Sequence, residues 1–129
     1  MVESFRDLIV WQKAVELSIA IYNLTSEFPR DERFGLTNQM RRAAVSIASN
    51  IAEGTGRSTR GEYLLFLGHA RGSICELQTQ LVISAALGYG AEKRRAPVEG
   101  LAVETSRMLN ALFRRLKEQS GAQEGRKSR

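Results

Sequence analysis

The stretch Val10-Trp11-Gln12-Lys13-Ala14-Val15-Glu16-Leu17-Ser18-Ile19-Ala20-Ile21-Tyr22-Asn23-Leu24-Thr25-Ser26-Glu27-Phe28-Pro29 decides the fold. Val10, Ala14, Leu17, Ile21, Leu24 and Phe28 recur at steps of four and three, the rhythm of a helix facing its neighbours, and Pro29 ends it. Three more segments keep this rhythm. The second carries Leu36, Met40, Ala43, Ile47 and Ile51 on one face and stops at Gly54-Thr55-Gly56. The third opens at Thr59-Arg60-Gly61-Glu62, where a Thr with Glu three residues later satisfies orphan amides. It continues through Tyr63, Leu67, Ala70, Ile74, Leu77, Leu81 and Ser84 to Gly88. The fourth starts at Pro97, a residue suited to the first helical position, and carries Val98, Ala102, Thr105, Leu109, Leu112 and Leu116. No segment alternates as a strand would. The pattern predicts an all-α, antiparallel up-down four-helix bundle in one domain, 1–118, with helices at about 7–28, 36–53, 59–87 and 97–118. Residues 119–129 are polar and basic, and are expected to be a disordered tail.

Composition narrows the chemistry. The chain has 129 residues, 43% apolar and 26% charged, the profile of one globular domain with a core of its own. One Cys and one His exclude an internal disulfide framework, a Cys-based zinc site and a His-rich metal site. The first residues are polar and of mixed charge, and no run approaches 18 apolar residues, so neither a secretory signal nor a membrane span is expected and the location predicted is cytoplasmic. Asn23-Leu24-Thr25 therefore lacks a glycosylation context.

Catalytic templates fail in turn. No Walker A motif occurs, since no Gly-Lys is followed by Ser or Thr, and Gly54-Thr55-Gly56 has Thr59 where a dinucleotide fingerprint needs a third glycine. His69 and Cys75 lie about 240° apart around one helix and cannot form a dyad within it. They read as a hydrogen-bonded structural histidine and a packed small apolar residue. No Glu-x-x-His pair suggests a di-iron site. The sequence is not that of an enzyme, and it predicts no cofactor and no metal.

Two polar features call for partners. Ser46, Ser49, Asn50 and Glu53 share one helix face although Ser and Asn are poor interior helix residues, so bonds to Arg71, Ser73 and Glu76 of the third helix are expected. Basic residues gather after Gly56: residues 1–56 hold six Lys and Arg against seven Asp and Glu, residues 57–129 thirteen against seven. Fifteen of the cations are Arg, which suits bidentate contact to phosphate. Candidate nucleic-acid contacts are Arg41, Arg42, Arg57, Arg60, Lys93, Arg94, Arg95, Arg114, Arg115 and Lys117, with Arg126, Lys127 and Arg129 in the tail. No base-reading helix, stacking sheet or zinc finger accompanies them, so phosphate contact is expected.

The first helix also carries more apolar residues than one core needs. Trp11, Val15, Ile19 and Tyr22 are the candidate oligomer interface, with Leu64, Leu65, Val82 and Ile83 surplus on the third helix.

Arg42-Ala43-Ala44-Val45-Ser46-Ile47-Ala48-Ser49-Asn50-Ile51-Ala52-Glu53-Gly54 and Phe66-Leu67-Gly68-His69-Ala70-Arg71-Gly72-Ser73-Ile74-Cys75-Glu76-Leu77-Gln78-Thr79-Gln80-Leu81 resemble the bacterial four-helix-bundle family labelled 23S rRNA intervening-sequence protein. Phe5-Arg6-Asp7-Leu8-Ile9-Val10-Trp11-Gln12-Lys13-Ala14 fits the same pattern, and the resemblance covers roughly residues 5–90. Ala48 stands where many members carry Pro, and His69 where an apolar or charged residue is usual. The resemblance implies a homo-oligomeric, pentameric ring and no catalytic residues. The related accessory variability protein of diversity-generating retroelements implies, by analogy, engagement of nucleic acid. The partners expected are thus further copies of the chain and RNA or DNA. The alternative is a protein-interaction scaffold with no nucleic-acid role.

Overall fold

The apolar stripes turn inward together. The computed structural model describes the backbone from Ser4 to Lys127 and side chains as far as Gln119. It contains four helices, α1 (Ile9–Thr25), α2 (Leu36–Thr55), α3 (Arg60–Ala86) and α4 (Glu92–Lys127), with 3-10 turns at Phe5–Asp7 and Arg30–Glu32 and no strand among the described residues. Ala14, Leu17 and Ile21 of α1, Met40 and Ile47 of α2, Leu67, Ala70 and Leu77 of α3, and Ala102 and Leu109 of α4 are all completely buried in one core. Each large aliphatic side chain in it contributes roughly 1.5–3 kcal/mol. α1 touches α2 and α4, and α3 touches the same two.

The tightest seam joins α2 to α3. A Cβ on Gly54 would lie 2.9 Å from Tyr63 Cδ1 and 3.2 Å from Phe66 Cβ, so only glycine lets α3 approach that closely. Lower on the seam Ser46 and Ser73 share a hydrogen bond of 2.9 Å between hydroxyls. The α1–α2 seam is bridged by Ser18 Oγ, which donates to the Ala44 carbonyl at 3.0 Å.

The helix boundaries differ from expectation in instructive ways. α2 runs through Gly54 to Thr55 and ends on Gly56, which keeps a helical φ of −83°, so Gly54 serves packing rather than termination. Thr59 caps α3 as expected, its hydroxyl accepting the Glu62 N–H at 3.1 Å. α1 begins at Ile9 because Ser4 first caps the separate 3-10 turn. Phe28 lies beyond the end of α1, buried and tilted against Tyr89 at 5.4 Å.

α4 starts at Glu92, five residues before Pro97, because the Ala91 carbonyl takes the first helical bonds from Arg94 and Arg95 at 2.9 Å. Pro97 is the sixth residue of α4, beyond the first turn, and lies on the exposed side, where it takes away the helical bond to the Lys93 carbonyl. The bend before it needs Gly90, which adopts φ +72° and would bring a Cβ to 3.1 Å from Leu24 Cδ1. Residues 119–127, expected to be disordered, continue α4, since the isolated Gly121 and Gly125 weaken a helix without stopping it as proline would. Arg129 lies outside the described residues.

Replacing Gly54 with Ala is expected to destabilise the protein by about 1–3 kcal/mol through overpacking. Gly56→Ala, whose Cβ would meet nothing closer than 3.6 Å, should fall within about 0.5 kcal/mol of the parent. Urea denaturation of both variants checks the contrast.

Candidate nucleic-acid interface

The charged candidates separate into residues with an internal partner and residues without an ion pair among the described residues. Arg94 pairs with Glu27 at 3.0 Å. Arg95 pairs with Glu99 at 3.1 Å and donates to the carbonyls of Tyr89 and Gly90, tying down the start of α4. Arg41 donates to Thr25 Oγ1 at 2.9 Å and to the Tyr22 carbonyl at 3.3 Å, with its guanidinium 4.6 Å above the Tyr22 ring. Arg57 pairs with Glu53 and covers the Phe66 ring at 4.6 Å. Each of these cations already has an internal partner.

Arg42, Lys93, Arg114, Arg115 and Lys117 are exposed and make no ion pair among the described residues. Arg42 lines a groove that also contains Glu76, and Lys93 stands alone beside the neutralised Arg94. The other three fall within one turn of α4. Arg60 adds to them from the start of α3, with a buried Nη1 that has no hydrogen-bond partner among the described residues.

Contacts across the α3–α4 seam bring these residues to one end of the molecule. Tyr63 shares a cleft with Leu112 and Leu116, so the start of α3, where Arg60 lies, is at the same end of the molecule as the later turns of α4. The Tyr63 hydroxyl is held protonated above its ordinary range by burial, and the nearby Arg115 charge opposes that shift in part. Arg115 itself lines a second cleft that contains Asp7 and shares Leu8 and Leu112 with the first. Lys93, Arg94 and Arg95 begin the same helix and sit at the opposite end.

The polar face of α2 is split by the structure. Asn50 Nδ2 donates to the Ser46 carbonyl at 2.8 Å and to its hydroxyl at 2.9 Å, and Ser46 meets Ser73 as expected. Arg71 does not join them. It turns to α4, donating to Asn110 Oδ1 at 2.8 Å and lying 4.3 Å over the Phe113 ring. Glu76 accepts from Gln80, Ser49 is exposed, and Glu53 serves Arg57. Neither Asn110 nor Phe113 was marked by the sequence, because helical periodicity does not say which neighbour a flanking arginine will face.

The remaining candidates are distributed likewise. Trp11 is half-buried, with Phe5 edge-on at 5.1 Å, and Val15 is half-buried. Ile19 is 58% exposed, while Tyr22, 46% exposed, carries Arg41 on its ring. Against expectation His69 is exposed, edge-on to Phe66 at 5.8 Å rather than in the core, and Cys75 is exposed. Both lie on the outer side of α3, whose inward positions are filled by Leu67, Ala70, Ile74 and Leu77. No group of three or more His, Cys, Asp or Glu gathers as a metal site would require, among the described residues. None of the helices searched is long and apolar enough to cross a membrane.

With this geometry in place, comparison with known proteins is informative. Residues 6–111 match the model of the family described as 23S rRNA-intervening sequence protein. The chain belongs to this family. The match includes Arg60 and Tyr63 and stops short of Arg114, Arg115 and Lys117. Among solved structures, the chain is similar to a protein of unknown function from the S23 ribosomal protein family of Bacteroides thetaiotaomicron VPI-5482. The TM-score is 0.75 at 20% identity, covering 82% of this chain and 96% of that one, so the two share a fold. No curated protein matches the chain.

Proposed function

We propose that this member of the 23S rRNA-intervening sequence protein family is a non-enzymatic, homo-oligomeric protein of the cytoplasm that holds RNA through phosphate contacts. The observation that carries this reading is the cluster Arg60, Arg114, Arg115 and Lys117 at one end of the molecule, without an ion pair among the described residues, set against Arg57, Arg94 and Arg95, which are ion-paired, and Arg41, which is hydrogen-bonded to Thr25 and Tyr22. Unpaired arginines on stiff helices suit phosphate, since little further ordering is needed on binding. The family's printed link to 23S rRNA favours RNA among polyanions.

The reading takes the bundle as up-down. Paired contacts support it, because an advance along one helix meets a retreat along its neighbour: Ser18 with Ala44 then Thr25 with Arg41, Ser46 with Ser73 then Gly54 with Tyr63, Tyr63 with Leu116 then Arg71 with Asn110, and Lys13 with Glu104 then Glu27 with Arg94. Self-association into a pentameric ring is part of the same proposal. Ile9, Ile19, Val82 and Leu65 are 57–70% exposed, more apolar surface than a solitary bundle helix carries. A ring would bring several copies of the basic end around one axis. The same exposed residues favour the second reading, a scaffold for other proteins, in which the basic end has no ligand.

Binding to structured RNA is expected to weaken with salt at a log–log slope of about −0.7 to −0.9 per phosphate contacted. The triple variant Arg114→Glu, Arg115→Glu, Lys117→Glu should lose at least tenfold in affinity, whereas Lys93→Glu should leave it within about twofold. Fluorescence anisotropy decides, and salt-independent binding or an unaffected triple variant would exclude the phosphate reading. Light scattering tests the assembly: a mass several times the protomer's, reduced by Ile19→Glu with Val82→Glu, is expected, and a monomeric mass for the parent protein would refute it.

A further inference from the structure

The phosphate reading uses the cations and leaves the cleft beside them unexplained. That cleft has a volume of about 510 Å³, inside the range of about 300–1,000 Å³ typical of small-molecule sites. Its walls come from every end-forming segment: Ser4 and Phe5 of the first 3-10 turn, Thr55 at the end of α2, Tyr63 of α3, and Leu112 and Leu116 of α4.

The walls have a particular chemistry. Two aromatic rings and three leucines make the surface largely apolar, while the hydroxyls of Ser4, Thr55 and Tyr63 supply donors and acceptors at its margins. Both rings are fixed. Phe5 is held edge-on by Trp11 at 5.1 Å, and Tyr63 is seated on Gly54, where nothing larger than hydrogen fits. The Ser4 hydroxyl oxygen accepts the Arg6 N–H at 3.2 Å, and its own proton is left to donate. Thr55 donates to the Ile51 and Ala52 carbonyls, so its oxygen retains acceptor capacity.

A flat molecule with apolar faces, a polar edge and an attached anion matches this combination. A nucleobase has those faces and that edge, and its phosphates would fall to the unpaired cations alongside. A base inside a duplex hides its faces and cannot enter, whereas an unpaired base can stack on aromatic side chains. Resting on the phosphate reading above, we propose that the cleft between Phe5, Tyr63 and Leu116 receives one unpaired base of the bound strand, with its neighbouring phosphates on Arg60 and Arg115. The protein then selects single-stranded or looped RNA over duplex without reading a defined sequence.

The test is anisotropy with three fluorescent probes of equal phosphate number: a mixed-sequence RNA strand, an RNA duplex, and a strand whose central nucleotides are abasic. Stacking one base is expected to favour the intact strand by about tenfold over the other two. Phe5→Ala and Leu116→Gln should each remove most of that preference, leave duplex binding unchanged, and keep the circular-dichroism melting curve cooperative. The abasic probe reads the same preference on the unmutated protein, so the outcome does not depend on how the variants fold. Equal binding of all three probes would overturn the base cleft while leaving the phosphate reading standing. Failure to bind any of them would remove the phosphate reading and the base cleft with it.

Discussion

Where α2 ends, the absence of a single Cβ sets how closely α3 can follow. Gly54 lies against the Tyr63 ring and the Phe66 Cβ at distances a methyl group could not share. With only Gly56, Arg57, Ser58 and Thr59 between α2 and α3, the chain reverses within four residues and Thr59 caps the new helix at once. That reversal places Tyr63 against Leu112 and Leu116 of α4, with Arg60 at the same end of the molecule. The same seam puts Arg57 over Phe66 and against Glu53, which gives that cation an ion-pair partner, while Arg60 opens α3 three residues ahead of the cleft residue Tyr63.

Net charge is a poor guide to where this protein meets an anion. The formal charge is +5, yet the local runs that make the sequence look basic differ sharply in what they have left to offer. Arg94 and Arg95 are consumed at the α3–α4 connection, where Glu27, Glu99 and two backbone carbonyls hold them. Arg41 is consumed at the α1–α2 seam. Arg114, Arg115 and Lys117 lie on the exposed face of α4, while Leu112, Phe113 and Leu116 of the same turns still pack against the core. The outer face of a packed helix is a simple way to present charge without an internal counterion.

The four apolar stripes were legible because a buried helix face imposes its period on every residue in it, and Thr59 was legible because capping is local. Glycine was only half legible. Gly54 reads as a stop, but its function is set by Tyr63 and Phe66 on another helix, and no local signal carries that. Pro97 misled in the same way: proline suits a first helical position, yet the Ala91 carbonyl started α4 one turn earlier. The basic end was visible as composition, whereas the division into paired and unpaired cations depended on acids far away in sequence, such as Glu27 opposite Arg94. The cleft was not legible at all. It joins Ser4 and Phe5 to Leu112 and Leu116 across more than a hundred residues, and each of those side chains alone looks like ordinary packing.

The account comes down to a claim about place: an anionic strand is held at the end formed by the α2–α3 reversal and the later turns of α4. Hydrogen–deuterium exchange of the protein with and without a bound RNA strand addresses that claim most directly. The account predicts added protection over residues 56–64 and 110–118, with no change over residues 89–99. Protection confined to residues 89–99, or none anywhere in a saturated complex, would contradict it.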